Sequence, residues 1–384
     1  MHSDTKSPEP PAASFRSART DMQALQVYYA NVLKEDVGES LNTLSEMLLN
    51  STFDNSAIER EKRTILQEME EVEKVEEEVV FDNLHYTAYQ TSPLGRTILG
   101  TEDNIKNMTR EQIVNYIQAN YVASRMVVVA AGPVNHDEFA GMVEKAFAAT
   151  PTQPSGPSVI TDIAPAYFTG SDIRVRDDEM PLAHIATAWE TVELTHPDSP
   201  ATMVMQAMLG SFDSSFPSAI NSGSRMVSIL AGYNERQYPL VQSAMTFNTQ
   251  YSDTGLFGVY YVTDLANIME AQWAVMREFQ ELCHNASDEA VEIAKAQLKA
   301  TIVGQLDASL SQVTEDIGRQ LLNYGRRMHM AEMMARIDAV DAPTVRRVAT
   351  SLFNDKCIAM SAKGNISAIP DYGWLRRHTW SLRY

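Results

Sequence analysis

Apolar and polar positions follow two alternating periods along the chain. Short β-branched and aromatic runs, such as VYYA (27–30) and RMVVVAAG (125–132), predict strands. Elsewhere apolar residues recur every three or four positions, which predicts amphipathic helices near 37–50, over the acidic stretch 64–85 and over NMTREQIVNYIQANY (107–121). The first part of the chain therefore predicts an α+β fold.

The same order of elements returns in the second half at a fixed offset. Tyr28 matches Tyr260, an offset of 232 residues (260 minus 28), and the candidate helix N-caps Thr109 and Asp341 share it. Further pairs at this offset are Ile105 and Ile337, Ile113 and Val345, Tyr121 and Phe353, and Gly132 and Gly364. The repeat predicts two homologous domains, each a mostly antiparallel sheet covered by helices.

The repeat and the local composition divide the chain into three segments. Residues 1–26 lack apolar periodicity and predict a disordered or irregular segment, followed by a first domain over 27–155 and a second over 156–384. In the second copy, residues of about 170–259 come before the strand that matches VYYA. Their counterparts in the first copy would precede residue 28. We therefore expect an N-terminally truncated first domain that lacks its opening strand and helix and leaves an open sheet edge. A genuinely shortened domain is the alternative.

Composition narrows the functional classes. Apolar and charged contents of 44% and 21% are typical of globular proteins, and no apolar run approaches the roughly 18 residues of a membrane span, so contact with a membrane would be peripheral at most. The formal net charge of −19 argues against a nucleic-acid partner and favours basic peptides, cations or a basic protein surface. Cys283 and Cys357 have neither disulfide nor metal-ligand spacing, which indicates a reducing compartment.

The stretch TILQEMEEVEKVEEEVVFDNLH (64–85) concentrates like charges on one predicted helix. Steps of 100° per residue place Glu61, Glu68 and Glu76 on its apolar stripe, while the other acids point to the flanks or away. A carboxylate taken out of water costs several kcal/mol unless it has a partner, so we expect Glu61 and Glu68 to face inward and to need one. An ion pair with a neighbouring Lys or Arg is the simpler hypothesis, and a metal or catalytic role is the alternative.

These two carboxylates belong to the first copy only, because Ile293 and Ala300 occupy the matching positions of the second. A single site kept in a duplicated scaffold would give this pattern. One carboxylate cannot hold a catalytic zinc, which uses three protein ligands and an open position. All eight histidines are isolated, neither HExxH nor HxxEH occurs, and His85 is interpreted as a surface or capping residue. The residues alone leave both hypotheses open.

Several motifs together resemble one known family. They are EREKRTILQEMEEVEKVEEEVVFDNLH, PLGRTILG, IRVRDDEMPLAHIA, YSDTGLFGVYY, EDIGRQLLNYGRR and ARIDAVDA, and from about Val27 to the end the chain is similar to the pitrilysin family of inverted zinc peptidases. The resemblance is to its presequence-processing branch. It implies a zinc metalloendopeptidase that removes presequences from imported proteins in the mitochondrial matrix or at the matrix face of the inner membrane. The alternative is a non-catalytic core subunit of the cytochrome bc1 complex.

The resemblance also implies site residues and partners. Glu68 matches the glutamate that ligates zinc, and Glu61 matches a second glutamate important for activity. Glu78 and Asp82 match positions that receive the arginine of a basic presequence, whose guanidinium suits bidentate pairing with carboxylates. The implied partners are a homologous α subunit, basic presequence peptides and, in the alternative, bc1 subunits; no nucleic acid is expected.

The departure from the family is the HxxEH motif. Its position would precede residue 1, so the two histidine ligands of zinc and the glutamate that acts as general base do not occur in these 384 residues. We therefore expect zinc only in a longer form that carries HxxEH, and no peptidase activity from the chain as written.

Overall fold

The computed structural model describes residues 26–154, 164–215 and 239–380, together with positions 226 and 230 and the backbone of 14–18. Within them the strands are β1 (Ser14–Ala18), β2 (Val27–Asn31), β3 (Asp172–Arg176), β4 (Ala183–Glu190), β5 (Ser211–Asp213), β6 (Ser243–Gln250), β7 (Gly255–Thr263) and β8 (Ala359–Gly364).

The helices of the first half are α1 (Val37–Leu49), α2 (Asn55–Val72), α3 (Glu76–Ala88), α4 (Glu102–Asn107), α5 (Arg110–Asn120) and α6 (His136–Ala146). Those of the second half are α7 (Ser199–Leu209), α8 (Ile268–Asn285), α9 (Asp288–Ala308), α10 (Leu310–Tyr324), α11 (Met330–Asp338), α12 (Ala342–Phe353) and α13 (Tyr372–Arg377). Short 3-10 turns cover 34–36, 93–95 and 123–125. None of these helices is both long enough and apolar enough to cross a membrane.

A six-stranded sheet organises the second half, in the order β3-β8-β4-β7-β6-β5. β3 and β8 are parallel, and every other neighbouring pair is antiparallel. In the central strand β4, Ile185 lies opposite Tyr261 of β7 and Ala362 of β8. In the described part of the first half, β1 and β2 form a two-stranded antiparallel sheet. The predicted α+β class is confirmed.

The main hydrophobic core lies between one face of the six-stranded sheet and helices α7, α8 and α12. Four aromatic side chains form its centre, and Trp189 stacks on Phe279 with ring centroids 4.3 Å apart. Phe353 completes the cluster at 5.5 Å from Trp189 and 5.3 Å from Phe257. Each such side chain removes about 150–250 Å² from water, so this cluster dominates the core.

Helix α3 comes from the first half but packs on the other face of the same sheet. Its buried residues Val80, Leu84 and Ala88 pack with Ala186 and Leu256 of β4 and β7. The apolar residues of α3 therefore join the two halves of the molecule.

The offset of 232 residues relates whole elements. It superposes α1 on α8, α2 on α9, α3 on α10, α5 on α12, β1 on β6 and β2 on β7. Both predicted N-caps are confirmed, because the side chain of Thr109 accepts the amide N–H of Gln112 at 3.3 Å and that of Asp341 accepts the N–H of Thr344 at 2.9 Å. Equivalent sequence positions thus start equivalent helices.

The acidic stretch forms two helices instead of the predicted one. The N–H of Val75 donates to the carbonyl of Val72 at 2.9 Å, which tightens the last turn, and Val75 then takes an extended backbone conformation. Because Val75 is not helical, a regular step of 100° per residue cannot be continued from α2 into α3. Glu76 therefore does not share a stripe with Glu61 and Glu68.

The predicted strand RMVVVAAG (125–132) is not a strand. Residues 123–125 form a 3-10 turn, and 126–132 make no sheet ladder, whereas the counterpart β8 is paired on both sides. A strand needs a neighbour to satisfy its N–H and C=O groups, and the described first half places none beside this segment.

The predicted irregular segment 1–26 contains a strand. β1 pairs antiparallel with β2, so a part of the segment expected to be disordered or irregular forms a regular strand. The other residues before Gln26 lie outside the described part of the chain. The boundaries 27–155 and 156–384 stay predictions.

Candidate functional site

Helix α2 carries Glu61 and Glu68, and both side chains are exposed, so the expectation that they face inward is wrong. α2 has no buried residue, and within the described residues its main neighbour is the short helix α4, where Lys62 Nζ donates to the carbonyl of Lys106 at 3.1 Å. On the apolar side of α2, Ile58, Ile65 and Met69 are half-buried, while Glu61 and Glu68 stay exposed. The desolvation cost that demanded a buried partner therefore does not arise.

The described residues do not fit a zinc site. Among them, no group of three His, Cys, Asp or Glu side chains could hold a metal ion, whereas a catalytic zinc takes three protein ligands. The roles of Glu68 as a zinc ligand and of Glu61 as a catalytic residue stay predictions from the resemblance.

Helix α3 places Glu78 and Asp82 one turn apart on the side that faces away from the six-stranded sheet. Val80 and Leu84 define the opposite, buried side, so the helical period turns the two acids outward. Glu78 is exposed and Asp82 is half-buried. Three glutamates occupy the first turn of α3, where the positive end of the helix dipole favours negative charge.

The two acids are electrostatically coupled. Burial raises the pKa of Asp82 above its usual value, and the negative charge of Glu78 raises it further. Like charges four residues apart on a helix cost a few tenths of a kcal/mol. A cation that contacts both carboxylates would remove this repulsion, and a guanidinium can donate to both.

Polar contacts with the second half fix both ends of α3. At its start, Glu76 Oε2 lies 2.6 Å from Lys363 Nζ of β8. Near its end, His85 Nδ1 lies 2.8 Å from the carbonyl of Phe81, and His85 Nε2 lies 2.6 Å from the hydroxyl of Tyr251. His85 is thus half-buried; its contact with the Phe81 carbonyl fits the interpretation as a capping residue, and its contact with Tyr251 was not predicted. These contacts hold the side of α3 that carries Glu78 and Asp82 in a fixed orientation.

Lys363 and Tyr251 were not found from the sequence. One signal was available for Lys363, because the strand period of two places it on the same face of β8 as Ala359, which packs under α3. A lysine on a largely buried face of an interior strand requires a charged partner. For Tyr251, which follows β6, no comparable signal exists.

A half-buried histidine lies beside the start of α3. His184 Nδ1 is 2.8 Å from the hydroxyl of Tyr260. Burial lowers the pKa of His184; nearby Glu76 opposes this shift and Lys363 adds to it. The imidazole is therefore mostly neutral at pH 7. The charged groups beside it are Glu76 and Lys363, which pair with each other.

The chain matches two models of one peptidase family. Residues 13–102 match "Insulinase (Peptidase family M16)" and residues 107–298 match "Peptidase M16 inactive domain". The chain therefore belongs to peptidase family M16, and the predicted family resemblance is confirmed.

Within this family the chain is similar to mitochondrial-processing peptidase subunit beta. It is 47% identical to the probable subunit beta of Arabidopsis thaliana over 93% of this chain and 66% of that protein. It is 46% identical to subunit beta of Neurospora crassa over 91% of this chain and 73% of the relative. For subunit beta of Homo sapiens the identity is 41% over 93% and 71% of the two chains.

A solved structure shares the fold. A chain of "Complex III2 from Candida albicans, Inz-5 bound" superposes with a TM-score of 0.83 over 98% of this chain and 87% of the other, at 24% identity. At that identity the likeness establishes the fold alone.

Proposed function

We propose that this chain is the presequence-binding half of a mitochondrial processing peptidase, in which Glu78 and Asp82 of α3 receive an arginine of a basic presequence. One observation carries the proposal: Glu78 and Asp82 lie one turn apart on the outward side of a helix whose two ends contact the second half. Burial and the charge of Glu78 raise the pKa of Asp82, which a cation would oppose. The names of the relatives and the net charge of −19 support the same substrate class.

We infer that the partner is a homologous α subunit and that the complex works in the mitochondrial matrix or at the matrix face of the inner membrane. The relatives are named subunit beta of a mitochondrial peptidase, which supports both inferences. For Glu68 and Glu61 we retain the roles of zinc ligand and catalytic glutamate only in an assembly where residues beyond those described provide the histidine pair. The described residues do not carry out hydrolysis in this proposal.

Peptide binding tests the proposal directly. Two presequence peptides that differ only by arginine or neutral citrulline are titrated against the wild-type chain and the Glu78→Gln/Asp82→Asn double variant. Loss of charged hydrogen bonds should weaken binding of the arginine peptide by about tenfold or more, and binding of the citrulline peptide should stay the same.

A matched control separates this site from general acidity. Glu70→Gln/Glu73→Gln removes two exposed negative charges near the same corner and should change the affinity for the arginine peptide little at physiological salt. Equal weakening by both double variants, or equal weakening for both peptides, would reject an arginine site at Glu78 and Asp82.

A second candidate function is a non-catalytic core subunit of the cytochrome bc1 complex. The potential metal ligands favour this candidate, because the described acids, histidines and cysteines form no group of three that could ligate a metal. Affinity purification of the tagged chain from mitochondria distinguishes the two candidates. Recovery with cytochrome subunits would support the core-subunit role, and recovery with an α-type subunit alone would support the peptidase role.

A further inference from the structure

Helix α3 leaves part of the sheet face beneath it open. The helix packs mainly on β8 and β4, whereas β6 lies farther toward the edge formed by β5. Phe247 of β6 packs with the buried residues of α3, and Met245 lies two residues away, so both side chains point to the same face of the sheet. Phe247 is 7% exposed and Met245 is 38% exposed. The apolar surface of β6 therefore continues beyond the part that the helix covers.

Phe81 of α3 borders this open strip. Its ring centroid lies 5.0 Å from that of Phe247 and 5.6 Å from that of Tyr260, and the residue is half-buried. Tyr260 of β7 lies opposite Met245 in the strand register. Phe81, Met245, Phe247 and Tyr260 together form an apolar ledge, of which Phe81 and Met245 are the accessible part.

Acidic residues border the apolar ledge along α3. At about 3.6 residues per turn, Glu78 lies about 60° and Asp82 about 100° around the helix from Phe81, in the same direction. Glu77 lies about 40° from Phe81 in the opposite direction. Burial raises the pKa of the Tyr260 hydroxyl and the negative charge of Glu77 raises it further, which places Glu77 beside the ledge. A ligand on the ledge therefore meets an apolar surface with negative charge on both sides.

These features select an apolar side chain that is carried by a basic peptide. Methionine and aromatic side chains adapt to apolar groups of different shape, and the neighbouring carboxylates repel acidic peptides. At a helix radius of about 5 Å, the angle between Phe81 and the two acids corresponds to about 5–9 Å along the helix surface. An extended peptide advances about 3.3 Å per residue, so this span corresponds to about one to three residues from an arginine held by Glu78 and Asp82.

We propose that the apolar ledge binds a large aliphatic or aromatic side chain of the presequence, one to three residues from the arginine that Glu78 and Asp82 receive. The inference rests on the proposed function, because the same peptide provides the arginine. The arginine binds the two acids, and the apolar residue selects among the peptides that carry one. Three of the four ledge residues belong to the second half, so substrate selection involves both halves of the chain.

Peptide titration against the full chain tests this inference. Six peptides keep one arginine and place a single leucine one, two or three residues to either side of it, with serine at the other five of these positions. A seventh peptide has serine at all six, and an eighth is its citrulline form. The best leucine peptide should bind about tenfold more tightly than the all-serine arginine peptide, because the ledge removes the leucine side chain from water.

Variants of one ledge residue assign this preference to its place. Met245→Ala should reduce the advantage of leucine over serine to about threefold or less, and Met245→Leu should restore it. Met269→Ala is the matched control, because Met269 is a methionine of similar exposure, 45%, on α8, which packs on the other face of the sheet. This control should keep the full advantage of leucine.

The outcomes separate this inference from the proposed function. No preference for leucine at any of the six positions would overturn the inference. A preference that Met245→Ala leaves unchanged, or that Met269→Ala reduces equally, would overturn it as well. The all-serine peptides test the proposed function by themselves: equal affinity of their arginine and citrulline forms would reject the arginine site, whereas an arginine preference without a leucine preference would reject the apolar ledge alone.

Discussion

At the scale of single residues, the place of an acidic side chain in the fold explains its part in the candidate site better than its being an acid on an acidic helix. Glu68 and Asp82 are both acids on acidic helices, yet the first is exposed on a helix without buried residues and the second is half-buried on a helix packed against a sheet. Burial and the charge of Glu78 raise the pKa of Asp82, so its charged form opposes folding. A binding role for Asp82 therefore has a stability cost.

The variant Asp82→Asn measures that cost. Because the pKa of Asp82 is raised in the folded state, the folded chain binds more protons than the unfolded chain between the unfolded value of 3.8 and the raised value. The contribution of Asp82 to stability is thus lost as the pH rises through this window. At pH 7 the variant should be more stable by a few tenths of a kcal/mol in urea unfolding, and the difference should shrink as the pH approaches about 4.

Glu78→Gln provides the control for the repulsion between the two acids. It should raise the free energy of unfolding at pH 7 by a similar small amount, and the two substitutions should not be additive because they remove the same interaction. A loss of stability in Asp82→Asn would contradict the argument, since it would mean that the carboxylate has a stabilising partner.

At the scale of elements, periodicity and the repeat were sufficient to predict most helices. The predicted helices near 37–50 and 107–121 correspond to α1 and α5, and the offset predicted their partners α8 and α12. The corner between α2 and α3 was not predictable, because no Pro or Gly marks Glu73–Val75. The segment 125–132 has strand composition but lacks a strand partner, and composition alone does not reveal that.

The site was only partly predictable for a related reason. The helical period gives the side of a helix on which Glu61, Glu68, Glu78 and Asp82 lie, but whether that side is covered depends on residues far away in sequence. The outward side of α3 follows from its apolar residues. The contacts of Glu76 with Lys363 and of His85 with Tyr251 join the two halves, and only the assembled fold brings them together.

The ion pair at the start of α3 gives an element-scale prediction. The side chains of Lys363 and Glu76 are 17% and 29% exposed, so Lys363→Met leaves a largely buried carboxylate without its cation. We expect a loss of about 1–3 kcal/mol in the free energy of unfolding.

The double variant Lys363→Met/Glu76→Gln provides the comparison, because it removes both charges. It should recover most of the lost stability, and the affinity for the arginine peptide should fall in the single variant and recover in the double one. If the single and double variants were equally stable, the pair would not hold α3 in place.

At the scale of the whole molecule, the two homologous halves bury their helices very differently. α8 has eleven buried residues and its counterpart α1 has three; α12 has five and its counterpart α5 has one. Since burial of apolar area is the main stabilising contribution, the second half should be the more stable part. α3 is the exception, because it belongs to the first half by sequence and to the second by packing.

Native-state hydrogen exchange should therefore rank the helices by packing and not by sequence order. Amides of α1, α2 and α5 should exchange at least about a hundredfold faster than those of α8 and α12, because their hydrogen bonds open without exposing a large core. α3 should exchange as slowly as α8, and this internal control distinguishes local opening from general instability. Equal protection of α5 and α12 would show that the first half is filled by contacts beyond the described residues, and fast exchange in α3 would contradict its assignment to the core of the second half.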